Sequence, residues 1–366
     1  MYVIKEKGSI LFPTTNTQSP ISGLLNVIST ITKNPVPRQK KKKDYTNRNI
    51  LDYKLFSEPE KQGYQEVLDV LLSEKGIKPS VLTANNLGGT QRMFYELYKN
   101  MSSAKDRSDV LIFIHGYAYT FDDELKAIID LKKLFIDNPA SPVEHILFVS
   151  WPASSSLVPL TYFDDKASSI NSGTSLLRLF YFYTQFLKDI FSSRDLAPCN
   201  QRIHIMAHSM GNRVLQSMLY SLKSENILRV IDQVILLNAD VTYKVFEDSE
   251  NSFNKLPLLA NRISVYLNRQ DVILGISQFT KNILTPRLGK NGPSNIEPFK
   301  DIVSIIDCTF VKDDLLNSFK FEVGNHWGYL SSSQVQSDIF QNLYGIDRNL
   351  ITNRIKNNEN IFTIIA

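Results

Sequence analysis

The chain has 366 residues, and its hydrophobic fraction of 43% is enough to build a substantial core, which excludes a disordered chain. A formal net charge of +4 gives no indication of a general nucleic-acid-binding surface, so we expect a small-molecule substrate. Two cysteines are too few for a disulfide framework or a cysteine-built zinc site, which favours a reducing compartment.

Residues 1–55 are predicted to form an irregular extension, with one strand expected at its start. The segment holds four prolines and the run RQKKKKDY, which is interpreted as a solvated loop and is given no function. The first seven residues already contain charges, and no later apolar stretch has the length of a bilayer crossing. We therefore expect a cytoplasmic protein without a transmembrane segment, with one α/β domain over residues 56–366.

Two helices are predicted before the sheet, EKQGYQEVLDVLLSEKG at 60–76 and TQRMFYELYKNM at 90–101. Six apolar, β-branched runs follow: VLIFIHG, HILFVSWP, RIHIMAHS, VILLNAD, RISVYLNRQD and DIVSIIDCT. Near-continuous apolarity is typical of strands buried on both faces, and alternation with helices such as FDDELKAIIDLKKLF and NRVLQSMLYSLKS indicates βαβ units. The pattern predicts a mostly parallel central sheet flanked by helices.

The segment 152–191 is long for a crossover between two strands. Its aromatic-rich half reads as a helix, and two arrangements stay open. The segment forms a partial cap that makes an apolar acyl pocket, or it is a loop followed by an outer helix packed on the sheet.

In open α/β sheets, reactive groups collect at the carboxyl ends of the strands. The polar or aromatic residues that end the six runs are His115, Trp151, Ser209, Asp240, Asp271 and Asp307. A serine, carboxylates and a histidine in one such set point to nucleophilic catalysis rather than to a structural role for each residue.

Ser209 lies in the turn AHSMG, between a short apolar run and a helical pattern. Small residues at Ala207 and Gly211 fit a strand-turn-helix elbow, where strand and helix approach closely, although Ala207 stands where a glycine is usual. The alternative is that Ser209 only caps the helix. A capping box would favour Glu or Gln at position 212, where the chain has Asn212.

A serine nucleophile needs a base and an acid that orients the base. Asp271 and then His326 follow Ser209 along the chain, which is the order expected of α/β hydrolases. Asp240 is the rival acid, and we prefer Asp271, with Asp240 as a supporting carboxylate. Asp307 is interpreted as a hydrogen-bonding residue of the loop that leads to His326.

The remaining histidines have weaker claims to the role of base. His145 begins a strand, His204 lies inside one as a hydrogen-bonded core residue, and His208 occupies the variable position of the elbow. His115 and Gly116 form a turn after the first run. The negative oxygen of a tetrahedral intermediate needs preorganised donors, and the amides of Met210 and Tyr117 fit this role.

Together, VLIFIHGYAYTFDD, FVSWPASSS, HIMAHSMGNRVL, VYLNRQDVIL and GNHWGYL resemble the α/β-hydrolase superfamily. More narrowly, they are similar to a bacterial esterase/lipase-like branch catalogued as a domain of unknown function. The similarity covers about residues 90–345. It implies an α/β-hydrolase fold with Ser209 as nucleophile, Asp271 as acid, His326 as base and oxyanion amides at Tyr117 and Met210. It also marks Trp151 and Pro152 as a shape feature of the family.

The expected function is that of a serine hydrolase that cleaves a carboxylic ester with an apolar group through an acyl-enzyme. The substrate is expected to be a small-molecule or lipid-like ester. The alternatives are an acyltransferase or thioesterase with the same triad, and a catalytically silent binding or scaffold protein. The chain has no HExxH motif, no paired-cysteine spacing and no P-loop, so we expect neither a metal nor a cofactor.

Overall fold

The computed structural model of the chain describes residues 2–5, 94, 97–98, 100–119, 121–153, 159–192, 199–223, 229–247, 252–282, 284–311 and 325–364. The predicted helix at 60–76 and the lysine-rich run lie outside the described residues.

Nine strands within the described residues form one sheet. They are β1 (Tyr2–Lys5), β2 (Asp109–Ile114), β3 (Val143–Ser150), β4 (Ile203–His208), β5 (Ile231–Leu237), β6 (Ala260–Leu267), β7 (Val303–Asp307), β8 (Arg354–Lys356) and β9 (Ile361–Ile364). Their order across the sheet is β1-β3-β2-β4-β5-β6-β7-β9-β8. Every neighbouring pair is parallel except β8 and β9, which are antiparallel.

The helices within the same residues lie mostly between strands. They are α1 (Phe121–Leu131), α2 (Pro159–Ser192), α3 (Gly211–Ser221), α4 (Leu256–Leu259), α5 (Val272–Ile276), α6 (Leu288–Asn291), α7 (Gly328–Ser331) and α8 (Ser333–Leu343). Two π-helical turns cover Lys132–Ile136 and Ser277–Lys281, and two 3₁₀ turns cover Phe253–Lys255 and Glu297–Phe299. Residues 94, 97–98 and 100–103 are also helical.

The sheet is buried on both faces, and strand β2 shows how the sequence achieves this. Val110 and Ile114 belong to one core, with buried residues of α2 and α3, whereas Leu111 and Phe113 belong to the other, with residues of α1 and α8. Successive side chains of a strand point to opposite faces, so both faces need apolar residues. Each fully buried aliphatic or aromatic side chain contributes about 1.5–3 kcal/mol.

The sequence-based prediction of the fold class is confirmed. All six apolar runs form strands of a mostly parallel sheet, and the expected N-terminal strand pairs with β3, Tyr2 lying opposite Leu147. The short strands β8 and β9 were not predicted. The register aligns the carboxyl ends of the central strands, with Ile114 opposite Ala207 and His208 opposite Leu237, which brings the residues after these strands together at one edge.

Helix α2 is a single 34-residue helix that occupies most of the long crossover after β3. Its buried residues Leu176 and Phe180 share a core with Val214 of α3. At its N-terminal end, the buried Tyr162 reaches the loop after β5, as described below. No helix in the described part of the chain combines the length and apolarity needed to cross a membrane.

Candidate active site

Ser209 occupies a strained elbow between β4 and α3. Its φ is 51°, in the left-handed region that costs a non-glycine residue free energy and that clusters at functional sites. The backbone is held there because the Ser209 amide donates to Leu237 O at 3.0 Å and its carbonyl accepts from the Asp240 amide at 3.1 Å. The Ser209 hydroxyl makes no hydrogen bond to any described residue. The fold therefore fixes the backbone of Ser209 and leaves its Oγ available.

The alternative interpretation of Ser209 as a helix cap does not hold. Met210 is the N-cap residue of α3, and no side chain donates or accepts a capping bond there. Asn212 instead uses its Nδ2 to bond Ala207 O at 2.9 Å and Ser209 O at 3.1 Å. The asparagine that replaces a capping-box acid thus ties the helix start to the strand end and supports the elbow.

Two glycines permit the close approach of the elbow to the strand beside it. A Cβ on Gly211 would lie 2.4 Å from Ile114 O and 2.5 Å from His115 O. A Cβ on Gly116 would lie 2.9 Å from the Ser209 Cβ. Only residues without a side chain fit at these distances, so Gly116 is needed for contact with the elbow itself. The methyl group of Ala207 is accommodated and fully buried.

His326 and Asp271 form a buried pair. His326 Nδ1 lies 2.6 Å from Asp271 Oδ2, so the ring donates its Nδ1 proton to the carboxylate. This arrangement leaves His326 Nε2 unprotonated in the neutral ring, as a general base requires. Asp271 also accepts from the Leu274 amide at 2.8 Å through Oδ1, because it is the N-cap of α5.

Asp240, the rival acid, has other partners. Its carboxylate accepts from Arg287 Nε and from the hydroxyls of Ser277 and Tyr162, each at 2.8 Å. Burial alone would raise the pKa of Asp240, but the charges of Arg287 and Arg213 and these hydrogen bonds outweigh burial and lower it. The structure thus places Asp271, and not Asp240, against His326.

His208 makes a hydrogen bond that its place in the elbow did not predict. Its Nε2 lies 3.0 Å from the carbonyl oxygen of His326, so Nε2 carries a proton and donates it there. Burial, followed by the neighbouring His326, lowers the pKa of His208 well below its ordinary value. A neutral His208, the residue directly before Ser209, is therefore hydrogen-bonded to the backbone of the candidate base His326.

The turn at His115 and Gly116 is fixed by Trp151. The indole stacks on the His115 ring with centroids 5.2 Å apart, and Trp151 Nε1 donates to His115 O at 2.8 Å. The Trp151 amide lies 3.1 Å from His115 Nε2, which makes that nitrogen an acceptor and leaves Nδ1–H to donate to Gly116 O at 2.9 Å. Tyr117 follows this turn. Gly116, the residue before it, lies so close to the elbow that a Cβ there would be 2.9 Å from the Ser209 Cβ, and Met210, which follows Ser209, is the N-cap residue of α3.

The other singled-out residues lie apart from this set. His204 Nε2 is 3.2 Å from Asp109 Oδ2 in the core, and His145 Nε2 is 3.0 Å from Ser108 Oγ. Asp307 accepts from the Thr309 amide at 2.9 Å and from Arg269 Nε at 3.1 Å, at the start of the loop after β7. These contacts are structural.

Sequence reasoning missed Asn238. Its Nδ2 donates to Asp271 Oδ2 at 2.8 Å and to Asn325 O at 3.3 Å, which joins Asp271 to the residue before His326. Asn238 also has a positive φ of 41°. A polar residue directly after the last apolar residue of β5 is a signal that the sequence offers, and Asp240 lies two residues later.

Within the described residues, no three His, Cys, Asp or Glu side chains lie close enough to hold a metal ion. The arrangement instead offers an unbonded hydroxyl, an imidazole with a free Nε2 and a carboxylate that orients the ring, together with main-chain amides at a helix start and a glycine turn.

One comparison with known proteins, a family model, agrees with the fold. A family model described as an alpha/beta hydrolase of unknown function (DUF900) matches residues 93–342. A search of curated proteins finds no match. Among solved structures, the chain is similar to phospholipase PlaB from Legionella pneumophila in complex with thio-NAD, with 13% identity and a TM-score of 0.22 over 57% of this chain and 38% of that protein. Since the family model spans well over half of its length, the chain belongs to this family of alpha/beta hydrolases.

Proposed function

We propose that the protein is a serine hydrolase that cleaves a carboxylic ester through an acyl-enzyme formed on Ser209. The observation that carries the proposal is the elbow itself, where a strained backbone holds an unbonded hydroxyl next to His208, which bonds the backbone of His326. A serine in a purely structural role has no need of a costly φ or of a buried His–Asp pair at the same edge of the sheet.

In the proposed reaction, Ser209 Oγ attacks the ester carbonyl while His326 Nε2 takes the Oγ proton. The imidazolium that forms is stabilised by Asp271, to which Nδ1–H is already bonded at 2.6 Å. The negative oxygen of the tetrahedral intermediate accepts hydrogen bonds from the amides of Met210 and Tyr117. His326 then gives the proton to the leaving alkoxide, and a water molecule hydrolyses the acyl-enzyme by the same route.

The supporting residues have distinct tasks in this proposal. Asn238 and the Leu274 amide hold the Asp271 carboxylate from two sides. His208 fixes the backbone of His326, and Trp151 fixes the turn before Tyr117. Catalysis of this kind depends on preorganisation, so these contacts are expected to affect kcat more than substrate binding.

A fluorophosphonate probe tests the nucleophile directly. We expect covalent labelling of the wild type, none of Ser209→Ala, and full labelling of Ser103→Ala, an exposed serine whose hydroxyl donates to Asn100 O. A panel of esters of graded acyl length, run on the same three proteins, then measures turnover. No labelling of the folded wild type, or equal labelling of Ser209→Ala, would refute the proposal. Product analysis with water and alcohol acceptors separates hydrolysis from acyl transfer.

A further inference from the structure

Three cationic side chains lie around Asp240 beside the elbow, and we name Lys166, Arg213 and Arg287 the cationic cluster. Arg287 donates to Asp240 Oδ1 at 2.8 Å and to Asp240 O at 2.7 Å. Arg213 reaches the same carbonyl oxygen at 3.4 Å, and Lys166 Nζ lies 3.4 Å from Asn282 Oδ1. The cluster therefore has three positively charged side chains around one carboxylate, that of Asp240.

The Asp240 carboxylate has little capacity left for a second guanidinium. It already accepts from Arg287, Ser277 and Tyr162, as described above. Burial, and then the charges of Arg213 and Arg287, lower the pKa of Lys166, and Asp240 offsets this only in part. The cluster thus places three positive charges around one carboxylate in a partly buried place, which favours the binding of an added anion.

Arg213 shows where an acceptor is missing. Its Nε is buried and has no hydrogen-bond partner among the described residues. The rest of the guanidinium is bonded weakly to Asp240 O, at 3.4 Å, and to the side chain of Tyr162. A buried N–H group left without an acceptor costs free energy, and most such groups in proteins have a partner. The guanidinium presents donors in a fixed fork that matches a carboxylate or phosphate.

The cluster lies next to the groups that the proposed function assigns to the reaction. Arg213 is one helical turn after Ser209 on α3, and the amide of Asp240 donates to Ser209 O at 3.1 Å. The ring of Tyr162, whose hydroxyl bonds Asp240, packs edge-on against the ring of Tyr117 with centroids 5.8 Å apart. An anion held by Arg213 would therefore sit close to the acyl group on Ser209.

We propose that the cationic cluster binds an anionic group, a carboxylate or a phosphate, carried by the ester that Ser209 attacks. The natural substrate is then an anionic ester and not a neutral one. The guanidinium of Arg213 supplies the N–H donors to the anion, and Lys166 adds a positive charge. Arg287 binds the carboxylate of Asp240, which therefore does not compete with the anion for Arg213. This inference rests on the proposed function, because it assigns the substrate class of the same site.

The test compares two 4-nitrophenyl esters of equal acyl length, one ending in a methyl group and the other in a carboxylate. The measured quantity is the ratio of their kcat/KM values, anionic over neutral, in wild type, Arg213→Gln and Lys166→Gln. Arg178→Gln is the matched control, since Arg178 is an exposed arginine on the same helix as Lys166. We expect the ratio to fall by about 10- to 100-fold in Arg213→Gln, the loss of one charge-assisted hydrogen bond, and to stay at the wild-type value in Arg178→Gln.

Inorganic phosphate serves as the free-anion probe. We expect it to inhibit hydrolysis of the anionic ester competitively and to raise the Tm of the wild type, with both effects lost in Arg213→Gln. If phosphate acts through Arg213 but the ester ratio does not respond, the site takes a free anion and the inferred substrate class is overturned. An unchanged ratio without any phosphate effect makes Arg213 a structural residue and also overturns it. Lys166→Gln provides the same readout if Arg213→Gln does not fold.

Fluorophosphonate labelling of the same proteins keeps the two proposals apart. A wild type that is labelled, yet shows no dependence of the ester ratio on Arg213 and Lys166, refutes the anion site and leaves the serine hydrolase intact. A wild type that is not labelled refutes the proposed function. In that case, phosphate binding that depends on Arg213 still supports an anion site beside Ser209. If phosphate does not bind either, the anion site is refuted too.

Discussion

Replacing Asp271 with asparagine removes one charge and keeps the volume of the side chain, and the same replacement at Asp240 is a matched comparison. Both carboxylates are buried after neighbouring strands, β5 and β6. At Asp271, Oδ1 accepts from the Leu274 amide, whereas Oδ2 faces both His326 Nδ1 and Asn238 Nδ2. The Leu274 amide is a fixed donor, so an asparagine keeps its oxygen there and turns its NH₂ group toward His326.

That rotation forces Nδ1 of His326 to accept a hydrogen bond and moves the ring proton to Nε2, where it blocks the proposed base. We therefore expect kcat to fall by about 10⁴-fold in Asp271→Asn, the loss known for a wrong tautomer in a Ser-His-Asp site. In Asp240→Asn, Arg287 loses its ionic partner in a buried site. Removal of one partner from such a pair costs about 3 kcal/mol, which lowers Tm by about 5 °C in a domain of this size.

The assay measures ester turnover well below Tm together with thermal unfolding of both variants. The two variants are expected to differ in opposite ways. Asp271→Asn loses activity, whereas Asp240→Asn mainly loses stability and keeps turnover of a neutral ester within about tenfold of the wild type. If Asp240→Asn abolished turnover in the folded protein while Asp271→Asn did not, the assignment of the acid would be wrong. The proposed coupling of Asp271 to His326 would fail with it.

Three further predictions concern the frame of the site. Gly211→Ala should lower stability by about 1–3 kcal/mol or more and reduce fluorophosphonate labelling, since its Cβ would lie 2.4 Å from Ile114 O, whereas Gly275→Ala, whose nearest neighbour is 3.8 Å away, should leave both nearly unchanged. Trp151→Phe keeps the ring stack but removes the donor to His115 O, so kcat should fall while KM changes little; an unaltered kcat would exclude this role of Trp151. Burial lowers the pKa of His145 to about 4, below that of the unfolded chain, so its contribution to stability is present above about pH 6.5 and is lost as the pH falls toward 4. Urea unfolding gives the free energy of unfolding at pH 7 and at pH 4.5. Between these two pH values, it should fall by about 2 kcal/mol less in His145→Gln than in the wild type, and an equal fall in both proteins would contradict the argument.

The sheet could be predicted from the sequence because its signal is local. Runs such as VLIFIHG and VILLNAD are apolar at successive positions, which only a strand buried on both faces requires. Strands β8 and β9 were not predicted because they are three and four residues long, and β8 reads Arg-Ile-Lys with Ile355 and Lys356 exposed. They form because β9 pairs with the edge of β7. The residue pattern of a single strand does not show whether a neighbouring strand has such an edge.

The candidate site divides in the same way. The small residues beside Ser209 and the chain order of Ser209, Asp271 and His326 could be identified in the sequence, and their catalytic roles remain a prediction. The contacts of Asn238, Trp151 and His208 with this set could not be, because each joins residues far apart in the chain and depends on ring orientation or on a single hydrogen bond.

The sequence by itself determined the fold class, the order of the strands along the chain and the elbow, since periodicity and small residues act over a few positions. Tertiary structure alone decided which carboxylate faces His326, because Asp240 and Asp271 both follow buried strands and only their neighbours distinguish them. Arg287, Ser277 and Tyr162 surround the first, whereas His326, Asn238 and the start of α5 surround the second. Hydrogen bonds and charge act through space, and the fold determines which groups come within their reach.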